Sequence, residues 1–448
     1  MIRISDFVFR VLPSLLGLAL GLLLVSPASA GLIEYVRQPD PAFEWKLERK
    51  TALPVGTVYE LTMVSQQWQG IRWKHQVQVY QPTGVSPAAT LFLWNQGGSA
   101  DLDDMAFGME MARRIKAPCA FVYHIPNQPL LGDKREDALI AETFVRYLET
   151  KDESWPLLFP MVKSLVRAMD ALQAFSQQEW KQPVEKFVVS GASKRGWTTW
   201  LTAAADPRVK AIAPLVIDTL NMRDQMPHQL TSFGKYSDMV ADYTSRGLIP
   251  IPDTDEARKL WRMVDPWVYR KQLELPKLLI NGNNDPYWAV DALNLYWDDL
   301  PGKKWVLYIP NAGHNLTEHK ANGKKDRSRA LGGLAAFVRS QVHDRPLPRL
   351  DWKHRTTPGK LQITVESDIA PRGARLWVAH SATRDFRKAT WQPQPATLQG
   401  STVQGKLSSP DKGFLAYYAE LDYELDGQTV HFSTQLQVCE PEPVAAGS

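Results

Sequence analysis

A chain of 448 residues with 44% hydrophobic content and a formal net charge of +4 is long enough for a large core. So even a charge balance excludes nucleic acid as the main partner. Its two cysteines, Cys119 and Cys439, leave no Cys/His cluster of zinc type.

The first thirty residues read as an address. Arg3 and Arg10 give a positive start, Val11–Val25 is apolar, and Ala28-Ser29-Ala30 supplies small residues where a signal peptidase cuts. The apolar run is short for a bilayer span, which needs about 20 residues. The expectation is a signal peptide over 1–30, cleaved after Ala30, and a periplasmic or secreted protein with no stable membrane anchor. An exporting compartment permits a disulfide, but spacing alone does not establish one. Cys119, inside the apolar run Ala117–Tyr123, is expected to pack as a small hydrophobe.

From about Tyr59 to Gln341 short β-rich runs alternate with helical patterns. Tyr59–Val64 and Gln76–Tyr80 read as an opening antiparallel pair. The strands Thr90–Trp94, Ala120–Tyr123, Lys186–Val189, Ala211–Ile217, Lys277–Ile280 and Trp305–Ile309 follow. Several are apolar without alternation, as strands buried on both faces are. Helical spacing marks Ala138–Leu148, Leu157–Phe175, Trp197–Ala205, Val290–Trp297 and Arg327–Val342. Strands separated by helices predict a parallel sheet, here an α/β core over 31–346. Residues 222–272 carry no strand pattern and are rich in Met, Trp and Tyr. They are expected to form a helical cap over the carboxyl ends of the strands. After Pro346-Leu347-Pro348, residues 347–448 alternate in short runs, predicting a small C-terminal all-β, sandwich-like domain with a structural role.

Three residues stand at strand ends in the order that acyl-transfer chemistry needs. Lys186-Phe-Val-Val-Ser-Gly-Ala-Ser193-Lys-Arg-Gly196 runs from a strand into a helix. A nucleophilic Ser there stands on a tight turn, so it needs small neighbours, and Gly191 and Gly196 supply them. Arg195 occupies a place usually held by a small residue. Ser190, the competing hydroxyl, is still inside the strand. Asp285 follows the strand ending at Ile280, and His314 follows the strand ending at Ile309. His314 suits a proton shuttle and Asp285 its orienting acid. The amide of Lys194 and the Gly97-Gly98 loop are the expected oxyanion donors. Lys194 and Arg195 put positive charge beside the Ser, suited either to an anionic substrate group or to local acids. Tyr287 and Trp288, beside the acid, are candidates for lining a substrate pocket. This chemistry requires neither metal nor cofactor.

Pro126-Asn-Gln-Pro-Leu130, Arg135-Glu-Asp-Ala-Leu-Ile140, Trp155-Pro-Leu-Leu158, Gly191-Ala-Ser-Lys-Arg-Gly-Trp-Thr-Thr-Trp200 and Asn281-Gly-Asn-Asn-Asp-Pro-Tyr-Trp288 together resemble the PhoPQ-activated pathogenicity-related proteins. That resemblance implies an α/β-hydrolase fold and a Ser-Asp-His triad. It carries a virulence association in the family's name and leaves the substrate open. The Ser-Lys-Arg-Gly turn is also locally similar to glucuronoyl esterases. The capped core with an added β domain resembles prolyl-oligopeptidase-type enzymes. The expected activity is hydrolysis of an ester or peptide bond in a small-molecule or peptide substrate. The rival is a secreted binding or signalling protein on a catalytically quiet hydrolase scaffold.

Overall fold

The computed structural model describes residues 31–320 and 322–441, so the signal-peptide expectation lies outside the described residues. The core is one twisted sheet. Its first nine strands are β1 (Glu44–Leu53), β2 (Gly56–Trp68), β3 (Ile71–Pro82), β4 (Thr90–Asn95), β5 (Cys119–Val122), β6 (Lys186–Ala192), β7 (Val209–Leu215), β8 (Lys277–Gly282) and β9 (Lys304–Ile309). They lie in the order β1-β2-β3-β5-β4-β6-β7-β8-β9. β1, β2 and β3 form an antiparallel meander whose last strand pairs antiparallel with β5, and from β5 to β9 every pairing is parallel.

Parallel pairing needs crossovers, and helices provide them: α2 (Leu102–Ile115) between β4 and β5, α3 (Glu136–Thr150) and α4 (Leu158–Glu179) between β5 and β6, and α5 (Lys194–Ala205) between β6 and β7, while α1 (Leu32–Arg37) precedes the sheet. Side chains alternate across each strand, so β4 sends Leu91 and Leu93 into the layer built on α4 and α5. It sends Phe92 and Trp94 into the layer built on α2 and the helix Ser328–Val342. A sheet covered on both faces explains why every residue of β4, β5 and β8 is buried.

Two helical expectations differ from what is observed. α2 forms where the apolar pattern predicts no helix. Its buried stripe is only Gly108, Met109, Met111, Ala112 and Ile115, and its start is set by Asp101, whose carboxylate accepts the Asp104 N–H at 2.8 Å. Val290–Trp297 is reduced to one 3-10 turn at Ala292–Leu295, where the Asn294 side chain donates to Leu436 O (2.8 Å) and accepts from the Gln435 amide (3.1 Å). β1 also lies outside the sequence reading, since this edge strand carries Glu, Lys and Arg along its length.

Residues 222–272 hold helices joined by loops and no strand: Met222–Phe233, short turns over Asp238–Val240 and Ala241–Thr244, Asp255–Val264, and a 3-10 segment at Pro266–Gln272. The C-terminal region is an antiparallel sandwich. One leaf holds Leu350–Thr357, Lys360–Ser367, Thr402–Ser408 and Thr397–Gln399; the other holds Gly373–Ser381, Phe414–Leu425 and Gln428–Ser433. The leaves meet so closely that a Cβ on Gly405 would lie 2.6 Å from Leu376. The second leaf is continuous with the core sheet, since Ser433 pairs with Val306 of β9. The predicted strand Thr429–Val438 breaks after Ser433, where the Thr434 N–H turns to Ala419 O (2.9 Å), and resumes at Gln437–Cys439. Cys119 is buried in β5 with its thiol on Gly108 O, and both cysteines are free. Among the described residues no helix is long and apolar enough to cross a membrane.

Candidate active site

Ser193 sits between β6 and α5 at φ 58° and ψ −125°, a conformation non-glycine residues rarely adopt. The turn is over-determined by its neighbours. The Ser193 N–H donates to Leu215 O at 2.9 Å, and its carbonyl accepts the Trp197 N–H at 3.0 Å. A Cβ on Gly191 would lie 2.9 Å from Arg195 O, and one on Gly196 would lie 2.5 Å from Ile217. Both glycines are therefore demanded by close packing around the turn. Ser190 points into the sheet, where its hydroxyl donates to Ala213 O at 2.5 Å.

The acid and the imidazole meet across two packed loops. Asp285 accepts the Tyr287 N–H at 2.9 Å on Oδ1 and the His314 Nδ1–H at 2.7 Å on Oδ2. A carboxylate only accepts, so Nδ1 carries a proton, and in the neutral imidazole Nε2 is then left as the acceptor. Nε2 is buried with no hydrogen-bond partner, Ser193 included. Ser193 and His314 line the same narrow pocket. The Tyr287 ring lies against the imidazole with 4.3 Å between centroids. Lys194, Tyr287 and Trp288 line this pocket too, and the helical segment 222–272 closes it with Met222, Val240, Tyr243, Ile249 and Trp261.

Gly97 and Gly98 follow β4, in a loop pinned at both ends. The Gln96 N–H donates to Val122 O at 2.9 Å, and Gly98 O accepts the His124 N–H at 3.1 Å. Gly97 has a second reason to be glycine: a Cβ there would collide with the Arg195 guanidinium.

Of the two roles open to Arg195, an anionic substrate group or local acids, the structure shows pairing with a local acid. Arg195 is absent from the pocket lining, and its guanidinium is spent on Ile125 O at 2.7 Å and on both oxygens of Glu136 at 2.5 and 2.7 Å. Lys194 does reach the pocket, but its Nζ is paired with Asp137 at 2.9 Å and with Glu136 at 3.5 Å. Asp137 also accepts the hydroxyls of Tyr243 (3.1 Å) and Tyr287 (3.2 Å). Glu136, Asp137 and Tyr243 were absent from the candidate residues. The signal for the two acids was their place in Arg135-Glu-Asp-Ala-Leu-Ile140, next to no strand end and so without an assigned role.

The Arg195–Glu136 pair carries a stability prediction. Burial alone would raise the Glu136 carboxyl, but the Arg195 hydrogen bonds and charge overcome it and hold the group at about 2, below its ordinary 4.5. A depressed folded-state value means stabilisation that is full above 4.5 and lost as pH falls through about 2. Glu136 is 39% exposed, and solvent screening brings the pair below the cost of a fully buried one. Arg195→Met is expected to lower the unfolding free energy by about 2 kcal/mol at pH 7. In urea titrations the gap to the native chain should narrow between pH 4.5 and 3. A gap unchanged over that interval would assign the loss to packing rather than charge.

Among the described residues, Glu420, Asp422 and His431 form a group with metal-ligand spacing. Its charges are already met within the protein. Glu420 is held by Arg329 (2.6 Å) and Arg375 (2.5 Å), and the His431 Nδ1–H donates to Asp422 at 2.7 Å. The group is an ion network between the sandwich and the helix Ser328–Val342.

Comparisons with known proteins agree with this architecture. Acetyl xylan esterase 1 from Thermoanaerobacterium sp. superposes with a TM-score of 0.50 at 15% identity, covering 70% of this chain and 91% of that one. An acetyl xylan esterase from Paenibacillus sp. R4 gives 0.46 at 12% identity, covering 62% of this chain and 85% of that one. At 15% identity the first of these shows the α/β-hydrolase fold alone. In sequence, the autocrine proliferation repressor protein A of Dictyostelium discoideum is 31% identical over 95% of this chain and 93% of its own length. The profile of the PhoPQ-activated pathogenicity-related proteins matches residues 32–387, from α1 through the core and into the sandwich, and the chain belongs to that family.

Proposed function

We propose that the protein is an exported serine hydrolase that cleaves an ester or peptide bond in a small-molecule or peptide substrate. The observation that carries this reading is the His314 imidazole. Its Nδ1–H is held by Asp285, and its bare Nε2 is buried in the pocket that Ser193 lines. In this reading His314 takes the Ser193 hydroxyl proton as Oγ bonds to the substrate carbonyl carbon. It then gives that proton to the departing alkoxide or amine. A water molecule repeats the exchange on the acyl-enzyme, releasing a carboxylic acid and restoring Ser193. Asp285 stabilises the imidazolium at each stage. Lys194, at the N-terminus of α5, supplies one amide to the oxyanion. The Gln96 N–H is committed to Val122 O, so the second donor comes from Gly97 or Gly98. Arg195 acts here through Glu136 and the oxyanion loop and is a positioning residue.

The test is a fluorophosphonate probe on the folded mature chain, read by peptide mapping. Such a probe needs an activated Ser and a formed oxyanion site, not the natural substrate. Labelling at Ser193, lost in His314→Ala, is the expected result. No labelling while a control hydrolase reacts would sink the reading.

One observation favours a second reading. The relative that matches along nearly the whole chain is named as an autocrine repressor of proliferation. A secreted signalling protein on this scaffold would keep its biological activity in Ser193→Ala, and the hydrolase would not.

A further inference from the structure

The pocket that holds Ser193 and His314 is small, and the wall it exposes is almost wholly apolar. Four of its lining residues spend their polar atoms on one another. Asp137 accepts the Tyr243 hydroxyl at 3.1 Å, the Tyr287 hydroxyl at 3.2 Å and the Lys194 ammonium at 2.9 Å. What is left to meet a ligand is mostly carbon, so the pocket rewards an alkyl group. Size then sets the length of that group. The cavity measures about 40 Å³. An apolar cavity of about 150 Å³ holds a benzene ring, and by that measure this one holds about two carbons.

The wall contributed by the helical segment is braced against retreat. Trp261 and Tyr243 pack on Phe144 of α3, with 5.8 and 6.3 Å between ring centroids, and Phe144 also meets Trp197 of α5 at 6.4 Å. The Trp197 indole N–H is fixed on Val264 O at 2.6 Å, and the Tyr243 hydroxyl is fixed on Asp137. Rings held in this way make room for a longer chain only at the cost of overpacking. A closed pocket suits the acyl part of a substrate, which stays bonded to Ser193 while the alcohol departs.

We infer that this is an acyl pocket of acetyl or propionyl size, so that the protein releases a short alkyl carboxylic acid from an ester. The carbonyl carbon stands at Ser193 Oγ, and the methyl or ethyl tail fills the cavity. The inference rests on the hydrolase reading above and names its substrate class.

The test compares 4-nitrophenyl acetate, propionate and hexanoate on the full mature chain. Each kcat/KM is divided by the rate of the same ester with hydroxide. The native chain is expected to favour propionate over hexanoate roughly tenfold or more, as forcing extra methylenes against a packed wall implies. Trp261→Ala removes the bulkiest part of that wall and should cut the preference by roughly tenfold. Ile249→Ala, which shortens a lining residue carried on a loop, gives the same reading should Trp261→Ala fail to fold. Ethyl acetate and hexyl acetate should be cleaved at similar rates, because the alcohol lies outside the pocket. Hexanoate taken as readily as propionate, folded variants that keep the native preference, or a length limit on the alcohol instead of the acid would each overturn the inference. The fluorophosphonate probe separates the two failures: a chain that labels at Ser193 but shows no acyl limit loses only the acyl assignment, and a chain that does not label loses both.

Discussion

Ser193→Ala is expected to lower kcat/KM towards an activated ester by about 10⁴-fold or more, with the fold intact by circular dichroism. His314→Ala should cost about as much, and the double variant no more than either single one. The reason is that the two groups act as one unit. Without the bare Nε2 the Ser193 hydroxyl keeps its proton, and without the hydroxyl the imidazole has nothing to activate. Asp285→Asn should cost about 10³- to 10⁴-fold for a different reason. Its amide can present an N–H to Nδ1, which moves the imidazole proton to Nε2, where a proton acceptor is needed. Tyr287 N–H already holds Oδ1, so the residue at 285 has little freedom to turn and restore the native tautomer. Additive losses in the double variant, or an Asp285→Asn chain as active as the native one, would remove these residues from the chemistry.

The parallel core was legible because its strands are apolar on both faces and its helices show a period of 3.6. The three strand-end residues were legible because each is a chemically distinctive side chain directly after such a strand. The two roles of Arg195 stayed open because sequence shows where a charge is, not what neutralises it. Its partner Glu136 is 59 positions away, and no local pattern joins them. Asp137 was hidden in the same way, since its three partners come from α5, the helical segment and the Asp285 loop. α2 was not expected because its buried stripe of Gly, Met, Ala and Ile is set among acidic and basic residues and its apolar content is low, although the stripe has helical spacing. Alternation also identified the C-terminal strands without showing that one leaf continues the core sheet. Register across a non-local pair such as Ser433 and Val306 is set by packing.

That continuity makes removal of the C-terminal region far more damaging than loss of an appended domain. A chain ending after Pro346 is expected to be insoluble, or soluble without cooperative unfolding, while one ending at residue 441 folds. The cut would leave β9 as an open apolar edge, a template for aggregation. It would also strip Glu420, met at 2.6 Å, from Arg329 and leave it Glu318 alone, and uncover Trp305, whose indole donates to Pro348 O at 2.7 Å. The candidate site would suffer directly. Asn284, next to the acid, donates to Ala389 O at 2.8 Å. Asn311, three residues before His314, exchanges hydrogen bonds of 2.8 and 2.9 Å with the Trp391 backbone. Both loops that carry the Asp285–His314 pair are thus braced from the sandwich. Asn311→Ala tests the brace without the cut. It should lower kcat about tenfold through misplaced His314, with KM little changed and the melting temperature within a few degrees of native. A chain ending after Pro346 that folds cooperatively and hydrolyses at the native rate would instead make the sandwich a detachable cover. An Asn311→Ala chain with native kcat would show that the His314 loop holds its place alone.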